Sequence, residues 1–294
     1  MWRGAVVLSI ALVIAPVGIA RAHESVAELQ ALAQRGDVEA QVRLGFRYAR
    51  GEGVPRSDAE ALTWFRKAAE QGHPMAQYSL GWMSEQGHGV AANASEAAKW
   101  YRKAAEQGHA VAQYNLATMY EQGRGTRRDS AEAAKWYRKA AEQGYASAQY
   151  NLAVMCVAGQ GMPRSYGEAA KWYRKAADQG HAKAQYNLGV LYANGHGVPR
   201  DEGQAVKWYE KAAQQGNAKA QHNLGVMYGE GRGVPKDSVL AYMWLTLAAN
   251  ALSGADLESA VDGRDVAASQ LTLEQLARAQ QMARDWKPTP ARAK

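Results

Sequence analysis

The apolar residues of this chain follow two alternating helical patterns. In residues 112–120, alanine, leucine and tyrosine occupy positions i, i+4, i+5 and i+8, which lie on one face of a helix. In residues 133–141, a stripe at i, i+3, i+4 and i+7 combines small alanines with large aromatic residues. Small residues opposite large ones let two helices interdigitate closely. The two patterns together predict a pair of packed helices.

This helix pair is copied along the chain with a period of 36 residues. Three residue types mark the period, each at six positions: tryptophan from Trp64 to Trp244, glutamine from Gln41 to Gln221, and leucine from Leu44 to Leu224. Three glycine columns run alongside and account for 18 of the 29 glycines. Self-similarity at a period of about 20–50 residues is typical of a solenoid, in which each unit buries its apolar face against its neighbours.

The two helices of a unit are joined by a Gly-x-Gly-Val-Pro turn, as at residues 195–199. Glycine permits the positive φ that ends a helix, and Asp201 can cap the helix that follows. Gly180 can end the second helix in the same way. The chain is therefore predicted to be an all-α protein: a right-handed α-solenoid of about six helix-turn-helix repeats of 36 residues, closed by helical caps.

The repeated unit resembles two related families. Residues 44–48 and 61–65 match the tetratricopeptide elements Leu-Gly-x-x-Tyr and Ala-x-x-x-Phe, although Gln41 replaces the leading tryptophan and the period is longer than about 34. Ala-Gln-Tyr-Asn-Leu-Gly-Val-Leu-Tyr-Ala-Asn-Gly-His-Gly-Val-Pro at residues 184–199 resembles the Sel-one-like repeat, a relative of the tetratricopeptide repeat. The resemblance covers all six units and implies roles in envelope assembly, secretion or host contact.

The repeats divide the chain into five segments. Residues 23–36 are predicted to form an N-terminal capping helix, in which Glu28 replaces the repeated tryptophan and makes the outer face polar. The six repeats occupy residues 37–252, as units 37–72, 73–108, 109–144, 145–180, 181–216 and 217–252. Residues 253–286 are predicted to be a C-terminal helical cap with a capping box at Thr272 and Gln275. Residues 287–294 are predicted to be a disordered tail.

The N-terminal residues 1–22 have the pattern of a cleaved signal peptide. Arg3 precedes an apolar run that ends in the small-x-small sequence Ala20-Arg21-Ala22. The run is shorter than the roughly 20 residues of a membrane span, so we expect no stable span after cleavage. The mature protein is expected to be periplasmic or secreted, and loss of two arginines lowers the net charge from +7 to +5.

The sequence contains no motif for a catalytic, cofactor or metal site. It lacks a nucleophile elbow, a metal-binding His-Glu-x-x-His helix and a phosphate-binding loop. Acids such as Glu70 and Glu106 stand one repeat apart, on the order of 10 Å, which is too far for paired acid–base work. We therefore predict a protein that is not an enzyme and has no cofactor or metal. Export and the absence of a basic stripe interleaved with aromatic residues also disfavour nucleic acid as a partner.

The histidines and the single cysteine are predicted to have structural and not chemical roles. His73, His109 and His181 occupy one column, and one histidine per repeat cannot converge on a metal. We interpret them as exposed turn residues. Cys156 stands where other repeats have tyrosine, so a buried, inert thiol is favoured over a nucleophile.

One face of the first helices is the candidate partner-binding site. In the tetratricopeptide relatives, positions two before and two after the repeated leucine line the concave surface. The candidate residues there are Tyr78, Trp82, Tyr114, Thr118, Tyr150, Val154, Tyr186, Val190 and His222. The tyrosines can equally fill the interior of the superhelix, and both interpretations stay open. Arg127 and Arg128 form a basic cluster with Arg124 and are a further candidate contact.

These observations predict an exported, non-catalytic, monomeric scaffold that binds a protein or peptide along its concave face. The alternative is a secreted hydrolase acting on β-lactam-like or cell-wall substrates, because a cysteine-rich branch of the Sel-one-like family has been associated with that activity. That branch pairs cysteines within each repeat, whereas this chain has a single cysteine. The resemblance therefore fails at the feature that would support hydrolysis.

Overall fold

The computed structural model describes residues 25–289, which form fifteen α-helices and, within that range, no β-strand. The helices are α1 (Val26–Gln34), α2 (Val38–Arg50), α3 (Asp58–Glu70), α4 (Pro74–Gln86), α5 (Ala94–Glu106), α6 (Ala110–Gln122), α7 (Ser130–Glu142), α8 (Ala146–Ala158), α9 (Tyr166–Asp178), α10 (Ala182–Asn194), α11 (Glu202–Gln214), α12 (Ala218–Glu230), α13 (Ser238–Ala249), α14 (Gly254–Ser269) and α15 (Leu273–Asp285). The predicted signal peptide, residues 1–22, and residues 290–294 of the predicted tail lie outside the described residues. The prediction of an all-α solenoid of six helix-turn-helix repeats is confirmed.

Each repeat contributes a first helix and a second helix. The first helices are α2, α4, α6, α8, α10 and α12, and the second helices are α3, α5, α7, α9, α11 and α13. A first helix ends at a glycine in the left-handed region, such as Gly159 with φ of 69°. A second helix begins at a serine, asparagine or aspartate that accepts a backbone N–H; Asp201, as predicted, accepts from Gln204 at 2.9 Å.

The core lies between consecutive helices, each of which packs against the helices before and after it. Leu152 and Ala140 are completely buried, and Trp136 and Tyr137 pack among them with 5% and 0% exposure. In the central repeats these residues form one continuous cluster that runs from α5 to α11. Alanines opposite tryptophan and tyrosine provide the small-against-large packing that the sequence pattern predicts.

A buried glutamine ties each repeat to the one before it. Gln149 Nε2 donates to the Ala141 carbonyl of the preceding second helix at 3.0 Å, and its Oε1 accepts from Gln179 Nε2 at 2.8 Å. The same two bonds occur at Gln41, Gln77, Gln113 and Gln185. Because a buried amide is costly without partners, these bonds fix how neighbouring repeats align. They also explain why glutamine stands where the tetratricopeptide pattern has tryptophan.

The second glycine of each turn touches the preceding repeat. Gly161 has φ of 70°, and a Cβ built there would overlap the carbonyl oxygen of Ser130 at the start of α7. At Gly89 the same atom would lie 2.6 Å from the carbonyl oxygen of Asp58. Glycine is therefore required both by the backbone conformation and by the available space. The turns interlock consecutive repeats in addition to ending the first helices.

Helices α1, α14 and α15 close the two ends of the solenoid. Ser25 and Glu28 form a capping box at the start of α1, and the predicted capping box of Thr272 and Gln275 is present at α15. Trp286 packs edge-on against Trp244 with ring centroids 6.2 Å apart. The predicted disordered tail begins with an ordered contact, because the Thr289 backbone N–H donates to the Gln214 carbonyl at 2.8 Å. Among the described helices, none combines the length and apolar character that crossing a bilayer requires.

Candidate functional site

The four tyrosines Tyr78, Tyr114, Tyr150 and Tyr186 occupy equivalent positions on α4, α6, α8 and α10. All four are half-buried. Each ring packs against a buried tyrosine of a second helix, with centroid distances of 5.7 to 5.9 Å. The tyrosines thus extend the core outward and keep part of each ring at the surface.

Neighbouring first helices are bridged by aromatic stacking. Tyr78 and Tyr150 stack on His109 and His181 at 4.8 Å, and Tyr114 meets Tyr145 edge-on at 5.1 Å. We call these six residues together with Tyr186 the aromatic row. The histidines are half-buried helix caps whose Nδ1 accepts a backbone N–H, so their interpretation as exposed turn residues is wrong. The sequence signal was their place directly before each first helix, where a side-chain cap is expected.

Burial holds the phenols of this region in their neutral form. It raises the pKa of Tyr78 to about 12, and it raises the pKa of Tyr101 and Tyr137 well above their usual range. The hydroxyls of Tyr101 and Tyr137 donate to the carboxylates of Glu85 at 2.8 Å and Glu121 at 2.7 Å. The phenols of Tyr101 and Tyr137 therefore act as hydrogen-bond donors.

A column of asparagines lies beside the aromatic row. Its members, each next to the repeated leucine, are Asn115, Asn151, Asn187 and Asn223, and all are half-buried. Asn187 Nδ2 donates to the Tyr173 hydroxyl at 3.0 Å. Amides held in place by phenols can pair with the backbone of a bound polypeptide. Sequence reasoning missed this column, although its period of 36 residues is as regular as that of the tyrosines.

The remaining candidates on the first helices make contacts within the chain. Trp82 stacks on His88 at 4.8 Å, and His88 Nδ1 lies 3.1 Å from Asp58 Oδ2. Thr118 Oγ1 lies 3.0 Å from the Tyr137 hydroxyl. Two further candidates, Val154 and Val190, are half-buried against the core clusters.

At the C-terminal end of the solenoid, the candidate His222 faces the helical cap. Its Nε2 lies 3.1 Å from Ser259 Oγ of α14, and Lys219 pairs with Asp256 of the same helix at 3.3 Å. Helix α14 therefore covers α12 in the way that another repeat would. The part of the face that lies before the cap runs from α4 to α10.

The arginines of the basic cluster have different environments. Arg124 pairs with Glu85 at 2.8 Å, and Arg128 Nε donates to the Glu121 carbonyl at 3.1 Å. Arg127 is exposed. Two of the three arginines thus hold the third repeat's turn against the ends of first helices.

The side chains that could bind a metal or act as a nucleophile do not form a site among the described residues. Within residues 25–289, no three His, Cys, Asp or Glu side chains come together in a way that could hold a metal ion. Cys156 is buried, and burial raises the pKa of its thiol. Its Sγ lies 3.2 Å from the Met162 sulfur, so the thiol is a packing group.

Replacing both His109 and His181 with asparagine is expected to make the fold less sensitive to acid. Burial lowers the pKa of both imidazoles from their ordinary 6.5, and each Nδ1 must be unprotonated to accept its backbone N–H. The unfolded chain binds these protons more readily, so stability is lost as the pH falls from 6.5 toward the lowered pKa values. Asparagine can take over the cap, because at the equivalent position before α12 the Asn217 side-chain oxygen accepts the Ala220 backbone N–H at 3.0 Å and does not titrate.

Thermal unfolding at about pH 7.5 and about pH 5.5 measures this effect. The wild type should lose more Tm between the two conditions than the double variant does. His196→Asn, at an exposed turn position, is the control and should behave like the wild type. An equal loss of Tm in the double variant and the wild type would contradict the role of the two caps.

The repeated helix pairs and the face that they present define a helical solenoid of the kind that offers an extended surface to macromolecules. The Sel1 repeat model matches six segments of the chain: residues 38–73, 74–109, 110–145, 146–181, 182–217 and 218–251. The chain belongs to the Sel1 repeat family. Sel1 repeat proteins generally mediate protein–protein interaction.

Solved structures include similar proteins. A Sel1 repeat protein from Oxalobacter formigenes is 35% identical, with 75% of this chain and 90% of that chain covered and a TM-score of 0.63. A protective antigen of uropathogenic Escherichia coli with an SLR fold is 26% identical, with 90% of this chain and 87% of that chain covered and a TM-score of 0.30. An immunity protein from Pseudomonas aeruginosa is 22% identical, with 82% of this chain and 86% of that chain covered and a TM-score of 0.41. No curated protein matches the chain.

Proposed function

We propose that this protein is an exported, non-catalytic scaffold that binds a protein or peptide along the aromatic row and the adjacent asparagines. The observation that carries the proposal is the continuity of this face. Half-buried tyrosines recur on four successive first helices, and stacking links each helix to the next. An outer face that met only water would be polar. We place this face on the concave side of the solenoid, where an extended partner can contact several repeats at once.

The chemistry of the face suits a polypeptide. Tyrosine rings offer apolar contact area and lose little conformational entropy on binding. Because the rings are already held in place by their neighbours, this entropy loss is smaller still. The asparagines provide both donors and acceptors at a spacing of one repeat. Glu121 lies at the end of α6 and favours a cationic group of the partner there.

Site-specific crosslinking tests the location of this site. A photoreactive phenylalanine at Tyr150 is expected to form an adduct with a native envelope protein or peptide. The same residue at Tyr166, which begins the second helix α9 and packs against His196, should not. Asn187→Ala should then weaken binding of that isolated partner by about fivefold to tenfold, the value of one hydrogen bond. Adducts at Tyr166 alone would place the site elsewhere.

We also propose export to the periplasm or beyond the cell. The support is the N-terminal sequence, in which an apolar run follows Arg3 and ends at Ala20-Arg21-Ala22. Mass spectrometry of the protein purified from its native cells should find a mature chain that begins at His23. An intact Met1 on the bulk of the protein would contradict the proposal.

A further inference from the structure

A column of tyrosines packs on the side of the first helices opposite the aromatic row. Its members are Tyr48, Tyr120, Tyr192 and Tyr228, and the two equivalent positions that depart are Ser84 and Cys156. Each tyrosine hydroxyl bonds with the residue 18 positions earlier, on the preceding helix: Gln30 for Tyr48, Arg102 for Tyr120, Arg174 for Tyr192 and Glu210 for Tyr228. The phenol and its partner are therefore a repeated element of the packing.

The fourth repeat compensates for the loss of its tyrosine. Cys156 is much smaller than tyrosine, but Met162 replaces the valine or threonine that other turns carry at that position. The Met162 sulfur reaches to 3.2 Å from Cys156 Sγ, and the thiol is only 2% exposed. A longer side chain from the turn thus fills the space that the missing ring leaves.

The second repeat does not compensate, and a cleft results. Ser84 faces Val90 of the turn, which is 38% exposed. The cleft has a volume of about 450 Å³ and is lined by Arg66 and Glu70 of α3, Leu80 and Ser84 of α4, Val90, and Trp100 of α5. Trp100 is only half-buried, whereas the other five tryptophans of its column are buried.

Arg66 stands in the first repeat at the position that Arg102 and Arg174 occupy in later repeats. Those two arginines bond to the hydroxyls of Tyr120 and Tyr192, and each guanidinium lies 5.6 Å from the ring centroid. Within residues 25–289, Arg66 forms no hydrogen bond or ion pair. The first repeat therefore keeps the arginine that bonds to a phenol elsewhere in the solenoid, and the second repeat lacks the phenol.

We propose that this cleft binds a phenolic ring supplied from outside the chain, either a tyrosine side chain of a partner or a free phenol. The ring occupies the place of the missing tyrosine beside Trp100 and Leu80, and its hydroxyl accepts a hydrogen bond from Arg66. Glu70 and Glu96 also line the cleft and disfavour an anionic ring, so a neutral phenol fits best.

The cleft is separate from the proposed protein-binding face. At 100° per residue, Leu80 and Ser84 lie on one side of α4, and Tyr78 and Trp82 lie on the opposite side. A ligand in the cleft leaves the aromatic row accessible. Phenol binding and partner binding can therefore be measured independently on the same protein.

Titration of p-cresol, the analogue of a tyrosine side chain, into the full chain tests the proposal by NMR. We expect saturable binding to the wild type and loss of binding in Ser84→Tyr, whose own ring fills the cleft and raises Tm. Val90→Met introduces the residue that stands at the equivalent position 162, where it fills the space of the missing ring, and should also weaken binding. Ser269→Tyr adds the same ring on an exposed part of α14 and should bind like the wild type.

The contribution of Arg66 is tested by removing either partner of its hydrogen bond. Toluene should bind at least about tenfold more weakly than p-cresol, and Arg66→Leu should remove that difference. The peptide Gly-Gly-Tyr-Gly-Gly distinguishes the sources: binding at least as tight as that of p-cresol indicates a partner's tyrosine, and binding of p-cresol alone indicates a free phenol. Equal affinity of wild type and both filled variants for p-cresol, equal affinity of the wild type for toluene, or absence of saturable binding would each overturn the proposal.

Discussion

Gly161→Ala is expected to lower the free energy of unfolding by more than about 3 kcal/mol, because two penalties add at this position. The residue has φ of 70°, a conformation that disfavours any side chain by about 1–2 kcal/mol. The new methyl group would also overlap the Ser130 carbonyl of the preceding repeat. That carbonyl belongs to the backbone at the start of α7, so it cannot move aside as a flexible side chain could. The contact between the third and fourth repeats would have to open.

Gly144→Ala is the matched control for Gly161→Ala. Its φ is 91°, but a Cβ there would meet no atom within 4 Å. The control should therefore carry the conformational cost alone, about 1–2 kcal/mol. Chemical denaturation of both variants gives the two free energies, and equal values would show that the turn does not interlock the repeats.

The repeated elements could be predicted from sequence because each is encoded within one unit. Trp136 and Gly159 belong to columns that return every 36 residues, and the helix patterns between them are local. A solenoid adds only contacts between neighbouring units, so the fold follows once the unit is known. The helix pair, the turns and the cap at Asp201 are confirmed for this reason.

The contacts between units could not be predicted in the same way. Tyr78 stacks on His109, and Gln149 bonds to the Ala141 carbonyl, at separations that reflect how one unit is rotated against the next. The columns themselves are visible in the sequence, but their pairing depends on that rotation. For the same reason the sequence shows that Ser84 and Cys156 both depart from tyrosine, while only the structure shows that Met162 fills one gap.

Gln149→Glu is expected to destabilise the fold by about 3–5 kcal/mol at neutral pH, because it replaces a satisfied amide by a buried charge. Gln149 is 3% exposed and donates to the Ala141 carbonyl at 3.0 Å. A carboxylate cannot donate, so it would face that carbonyl with its own negative charge and keep only the bond from Gln179. Gln149→Met, of similar size, should cost about 1–3 kcal/mol, since it leaves the same carbonyl unpaired without adding charge.

The loss caused by Gln149→Glu should depend on pH in a defined direction. Burial and the facing carbonyl raise the pKa of the new carboxyl group above the value of about 4.3 in the unfolded chain. The folded state then binds the proton more tightly, so stability decreases as the pH rises from about 4.3 through the raised pKa. A protonated carboxyl can donate to the Ala141 carbonyl as the amide does. When both proteins are measured near about pH 4, the stability of the variant should therefore approach that of the wild type. Gln160→Glu, at an exposed turn position of the same repeat, should show neither the loss nor its pH dependence. If the two glutamate variants unfold with the same free energy at neutral pH, the buried glutamines do not hold the repeats in register.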